Sequence, residues 1–91
     1  MSRQIFAERR VLAKRGDIIL PTLIILLKPE KSKEAYYCKV VFYDDKKYDA
    51  KIKGADDLNA IECAISYIES ICVNSTYPEF LWENGEPMRS D

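Results

Sequence analysis

Residues 57–73 read DLNAIECAISYIESICV. Leu58, Ile61, Ile65, Ile68 and Cys72, with Ala64 and Ile71 beside them, fall in one sector at 100° per residue. Asn59, Glu62, Ser66, Glu69 and Ser70 fall in the other. The spacing predicts an amphipathic helix from about Asp57 to Val73. Asp56 or Asp57 can cap it, because a carboxylate there accepts bonds from the first free N–H groups and meets the positive end of the helix dipole. Ala60 and Ala64 are small enough to let such a helix lie close against a sheet. A helix of that length spans about 26 Å, and an eight-residue strand spans about 27 Å, so one would cover the other.

The strands lie upstream. Residues 4–14 (QIFAERRVLAK) are followed by Arg15-Gly16-Asp17, a short gap in which glycine accepts positive φ, as hairpin turns require. Ile18 to Lys28 is rich in Ile and Leu. Pro21 would break a helix there, so the segment reads as a strand, with Pro21 at a bulge or an unpaired edge position. Residues 29–34 (PEKSKE) form a polar loop. Ala35 to Tyr43 (AYYCKVVFY) is aromatic and β-branched, the composition of a half-buried strand. Asp44 to Lys47 turn the chain. Tyr48 to Lys53 alternates, with Tyr48, Ala50 and Ile52 on one face and Asp49, Lys51 and Lys53 on the other. The expected fold is α+β: an antiparallel sheet of four strands in meander order, five if Phe80-Leu81-Trp82 joins, followed by one long helix packed on one face. The 91 residues suit a single domain, with a core over about 4–83 and a loose tail over 84–91.

A domain this small buries only roughly 60–65% of its unfolded surface, which leaves little room for a deep pocket. Yet both alternating sets of Ile18–Leu27 are apolar, and Ala35–Tyr43 is nearly so. A face turned to water should read polar, so the second face of the sheet needs a cover. The nearest candidate is Phe80-Leu81-Trp82 folding back over it; a partner or a second copy is the other.

Charge divides along the chain. Residues 1–43 carry nine Lys or Arg and four Asp or Glu; residues 44–91 carry five and eleven; the total is −1. Nonspecific nucleic-acid binding draws no support from that balance, although Arg9-Arg10, and Lys39 among tyrosines, combine charge with aromatics in the manner of single-strand binders. The acidic second half is either a solvated face or a surface that attracts a basic partner.

Chemistry-bearing motifs are absent. No histidine occurs, which removes the usual general base near neutral pH, the His-containing triads and most zinc sites. Only Gly16, Gly54 and Gly85 exist, so there is no phosphate-cradling loop. Asp44-Asp45 and Asp56-Asp57 read as turn formers and caps rather than as acid–base pairs. No catalytic role, cofactor or metal is expected. Cys38 and Cys72 read as small core residues and Cys63 as partly exposed. Three cysteines without CxxC spacing, behind a start that lacks a signal-peptide core, fit a cytoplasmic protein better than a disulfide scaffold. The longest nearly apolar run, Ile18 to Leu27, is too short for a membrane span of about 20 residues.

Four stretches resemble a family of small bacterial proteins of unassigned activity: Ile5 to Leu12 with its Glu8-Arg9 and following Leu12, Lys28-Pro29, the aromatic-Cys pair Tyr37-Cys38, and the Gly54-x-Asp56-x-x-x-Ala60 run into the helix. The resemblance covers about residues 5–72 and departs from the family pattern in a longer, more lysine-rich loop at 29–34. It implies a fold rather than a reaction. Proteins of this build are similar in type to immunity proteins of contact-dependent growth inhibition, which bind a toxin domain, often a nuclease, and block its site. On that reading the partner is a basic toxin domain, and the contacts are Asp56, Asp57, Glu62, Glu69, Glu79 and Glu83, with Trp82 as an aromatic anchor. Nucleic acid and membrane are not expected partners. The alternative is a structural or adaptor domain that self-associates, for instance as a homodimer, through the sheet.

Overall fold

The computed structural model describes residues 4–88. Six strands and one helix follow in the order β1 (Ile5–Arg15), β2 (Ile18–Leu27), β3 (Glu30–Lys31), β4 (Tyr36–Phe42), β5 (Ala50–Gly54), α1 (Asp57–Asn74) and β6 (Glu79–Trp82), with a 3-10 turn at Lys46–Tyr48 before β5. All pairings are antiparallel. The architecture is the expected α+β sheet with one long helix on one face. β1, β2, β4 and β5 form the meander. β4 pairs β2 and β3 along one edge and β5 along the other, since Tyr36, Tyr37 and Val40 each have partners on both sides. Most of 29–34 is loop, but Glu30 and Lys31 pair with Tyr37 and Tyr36.

The β1–β2 turn is Gly16-Asp17, with Gly16 at φ 60° and no positive φ at Asp17. That is the two-residue turn with glycine at its first central position, whose twist matches the strands. It closes on Arg15 and Ile18, a hydrogen-bonded pair, so bonding alternates from there. Pro21 then falls opposite Leu12 in a non-bonded pair, its missing N–H directed away from β1. β4 pairs only with Ile24–Leu26, so no strand needs that bond. Arg15 closes the arm onto the rest of the sheet, donating two bonds to Asp44 at 2.9 and 2.6 Å, which raise its guanidinium pKa above the ordinary value.

The core lies between the sheet and α1. Val11 and Ala13, Ile24 and Leu26, Cys38, Val40 and Phe42, and Phe80 face Ala60, Ala64, Ile68 and Cys72. Phe42 meets Tyr48 and Phe80 at a tilt and Tyr67 edge-on, at centroid separations of 5.6, 5.9 and 6.5 Å. The polar tips inside this cluster are partnered. The Tyr67 hydroxyl donates to the Tyr48 carbonyl at 2.6 Å, and the Ser75 hydroxyl donates to the Pro78 carbonyl at 2.6 Å. The buried stripe of α1 is narrower than the apolar sector of its sequence: Leu58 and Ile65 stand at the margin and are exposed.

Phe80–Trp82 does not cover the second sheet face. It enters the sheet as an edge strand against Val11–Ala13, and period-two alternation sends Phe80 to the helix side. The second face keeps an open groove of about 280 Å³ beside Leu12, Pro21 and Leu23. Residues 84–88 are not loose: Gly85 turns the chain at φ 88°, Trp82 N–H donates to the Glu86 carbonyl at 2.8 Å, Pro87 bridges Leu81, and Met88 packs on the core. The last three residues of the expected tail lie outside the described residues.

Gly54 holds the helix start against β5. A Cβ placed there would lie 2.2 Å from the Ala60 backbone nitrogen and 2.4 Å from its Cα, so the two backbones meet without room for a side chain. Asp56 caps α1, accepting from the Asn59 N–H at 2.7 Å, while the Asn59 side chain accepts from the Ala55 N–H at 2.9 Å. The Gly54-x-Asp56-x-x-x-Ala60 run thus has a structural role at each of its fixed positions. Gly54→Ala is expected to cost at least about 2 kcal/mol through overpacking and Asp56→Ala about 1 kcal/mol through the lost cap, both measured by chemical denaturation. A neutral Gly54→Ala would refute the close approach.

Candidate functional site

β6 pairs β1 only at Val11–Lys14. Among the described residues, Ile5–Arg10 of β1 therefore has a strand on its β2 side alone. Alternation from the Gly16 turn directs the N–H groups of Arg9 and Val11 toward β2, and those of Glu8 and Arg10 outward. A bulge at Phe6 shifts the register with β2 between Ile5 and Ala7. Between this bare edge and the facing flank of α1 runs an open, mostly apolar groove of about 200 Å³, lined by Phe6 and Ala7 on one side and Ile65 and Ile68 on the other, with Ile24 and Leu26 as its floor. Phe6 is 49% exposed and Ile65 45%, so both present apolar surface to solvent.

Arg9 closes one end of the groove. Its odd position puts it on the helix side with Val11 and Ala13. There it donates to Glu69 Oε1 at 2.5 Å, reaches to 4.0 Å from Cys72 Sγ, and lies 4.9 Å from the centroid of the Trp82 ring. Along the same flank of α1, Leu58, Glu62, Ile65 and Glu69 recur at helical spacing and alternate apolar with acidic. α1 contains no Lys or Arg. Of these four, Ile65 and Glu69 line the groove, and Glu69 is neutralised by Arg9.

The expected contact residues separate into three places. Glu69 lines the groove, Trp82 lies against Arg9 at its end, and Glu62 stands two turns before Glu69 on the same flank of α1, outside the lining. Asp56 and Asp57 stand at the helix start, where Asp56 caps and Asp57 accepts from the Leu58 N–H at 2.8 Å. Glu79 and Glu83, at odd positions of the β6 register, point to the opposite sheet face from Trp82; Glu79 pairs across from Lys14, and Glu83 lines the groove beside Arg10 and Leu12. No single surface holds all seven. Phe6, Arg9 and Ile65 belong to the site and were not among the expected residues. Arg9 was legible from alternation with Val11 and Ala13; the exposure of Phe6 and Ile65 depends on where β6 ends, which no local pattern records.

The opposite sheet face, which holds Glu79 and Glu83, also carries a cluster of lysines. Lys39 and Lys51 stand directly across from each other, Lys53 lies across from Tyr37, and the Lys51 ammonium sits 4.5 Å from the Tyr37 centroid. Adjacent like charges cost stability, and stacking on Tyr37 offsets part of it.

Among the described residues no three His, Cys, Asp or Glu side chains converge as metal ligands, and no helix is long and apolar enough to cross a membrane. Burial pushes the Cys38 and Cys72 thiols up, in Cys72 against the opposing pull of Arg9. Comparison with protein-family models, with curated proteins and with solved structures yields no match. With iodoacetamide at pH 8, the native protein is expected to be alkylated first at Cys63, with Cys38 and Cys72 reacting only on unfolding. Peptide mass mapping reads this, and early modification of Cys72 would contradict the closed packing around Arg9.

Proposed function

We propose that this protein is a binding module for a basic protein partner, of the immunity type, which neutralises a bacterial toxin domain such as a nuclease by occupying its substrate site. The observation that carries the reading is the flank of α1: Leu58, Glu62, Ile65 and Glu69 set apolar surface and carboxylates side by side on a helix without a single basic residue, next to an uncovered groove. Apolar anchors supply affinity when desolvated, and carboxylates steer a basic partner and mimic the phosphates of its substrate. Trp82, 42% exposed with the Arg9 guanidinium over its ring, lies beside the groove. Lys39, Lys51 and Lys53 lie on the other side of the sheet, where they do not oppose a basic partner.

The test is co-expression with the candidate toxin domain encoded beside this gene in its host. Growth arrest by that domain is expected to be relieved by this protein, with a complex of the two recovered. Glu62→Lys is expected to leave the melting temperature unchanged, to weaken the complex at least tenfold at low salt, and to flatten its salt dependence. Relief that survives charge reversal at Glu62 together with Asp57 would remove the electrostatic basis of the reading; failure to bind or relieve would remove the immunity role.

A further inference from the structure

We infer that the outer edge of β1 from Phe6 to Arg10 is a strand-addition site, which takes an extended segment of a different polypeptide as the next strand of the sheet and seats that segment's apolar side chains in the groove against α1. This deepens the protein-binding reading and rests on it, by naming how the partner is held.

Three features of one place support it. The outward N–H and C=O groups of Glu8 and the outward N–H of Arg10 have no ladder partner among the described residues, because β6 stops at the Trp82–Val11 pair. An unpaired edge offers main-chain hydrogen bonds to any extended chain. The groove beside that edge is where the side chains of an added strand would point on the helix side, every second residue, and its lining by Phe6, Ala7, Ile65 and Ile68 asks for apolar ones. Beyond the groove, Glu62 asks for a basic residue. Of the usual edge protections it has the bulge at Phe6 and the charges of Glu8, Arg9 and Arg10, but no proline and, among the described residues, no covering loop.

A second copy of this chain fits poorly. Antiparallel pairing of two identical strands about a two-fold axis must centre on one residue. Centred on Glu8, it sets carboxylate against carboxylate. Centred on Arg9, it matches Glu8 with Arg10 but drives Ala7 of the second copy into the place where Trp82 already pairs with Val11. Centred on Ala7, it asks the outward bonds to run through the bulge. A heterologous strand meets none of these obstacles.

The probe is an eight-residue peptide alternating valine with threonine and carrying a lysine at each end, titrated into the full chain labelled with nitrogen-15. Chemical-shift changes are expected at Glu8, Arg10 and Ile65, with slowed amide exchange at Glu8 and Arg10. Two further peptides carry N-methyl groups on alternate amides, one along each edge. One is expected to bind as the parent does, and the other at least tenfold more weakly, since only one edge faces β1. Arg10→Pro, which deletes an outward N–H and leaves the β2 ladder whole, is expected to weaken parent binding to a similar extent. Two N-methyl isomers binding equally, or shifts that map away from β1, would overturn strand addition. So would amide protection at Glu8 and Arg10 that rises with protein concentration alongside a dimeric mass, since a second copy would then hold the edge. The charge reading has its own arm: exchanging the end lysines for glutamates is expected to weaken binding severalfold. An unchanged affinity there, with the N-methyl contrast intact, would remove the basic-partner reading and leave the strand site standing.

Discussion

The backbone of Ala60 rests on Gly54 with no space for a side chain between them, and the placement of the helix follows from that approach. Gly54 ends β5, two residues before the cap, so α1 begins already in contact with the edge of the sheet. From there Ala64, Ile68 and Cys72 carry the buried stripe across β4 toward β1 and β6, and the aromatic cluster around Phe42 fills the space beneath. A helix anchored on β5 covers that side of the sheet closely. Its far flank, from Leu58 to Glu69, is left to face the N-terminal half of β1 across a gap. The groove is therefore a consequence of where the helix is pinned and of a β6 too short to cover the whole of β1.

The same geometry sorts charge by layer. Along the chain the first half is basic and the second acidic, yet Lys51 and Lys53 of the acidic half join Lys39 on the face of the sheet turned away from the helix. The only charged side chains of α1 are carboxylates. A molecule whose helix carries only acidic charge, with three lysines clustered on the far face of the sheet, has a preferred approach for a charged partner even at a net charge of −1. Arg9 is the exception on the acidic side, and it is spent on Glu69 and Trp82.

Most of the sheet was readable because its signals are local. Glycine in a two-residue gap, alternation over Tyr48–Lys53 and an aspartate before a periodic apolar run each name a conformation by short-range sterics or hydrogen bonding. The strand expected over Tyr48–Lys53 nevertheless begins only at Ala50, because Lys46–Tyr48 wind into a 3-10 turn capped by Asp45. The role of Phe80–Trp82 was not readable in that way. Three apolar residues can close over a face or extend a sheet, and the choice depends on Val11–Ala13, nearly seventy positions away in the chain. Once the segment is a strand, alternation separates Trp82 from Glu79 and Glu83, so the expected acidic surface divides. The helix wheel erred in a different way. Leu58 and Ile65 belong to its apolar sector, but a helix that packs on alanines buries a narrow stripe, and residues at the margin stay outside.

The central claim is that the protein presents a bare strand edge beside an acidic, half-apolar helix flank. Amide hydrogen exchange on the free monomer, resolved residue by residue, tests it most directly. The account predicts fast exchange at Glu8 and Arg10 against strong protection at Val11 and Ala13, whose N–H groups bond to β2. Protection at Glu8 and Arg10 equal to that at Val11, in a sample of monomeric mass, would mean that the edge is already paired, and would contradict it.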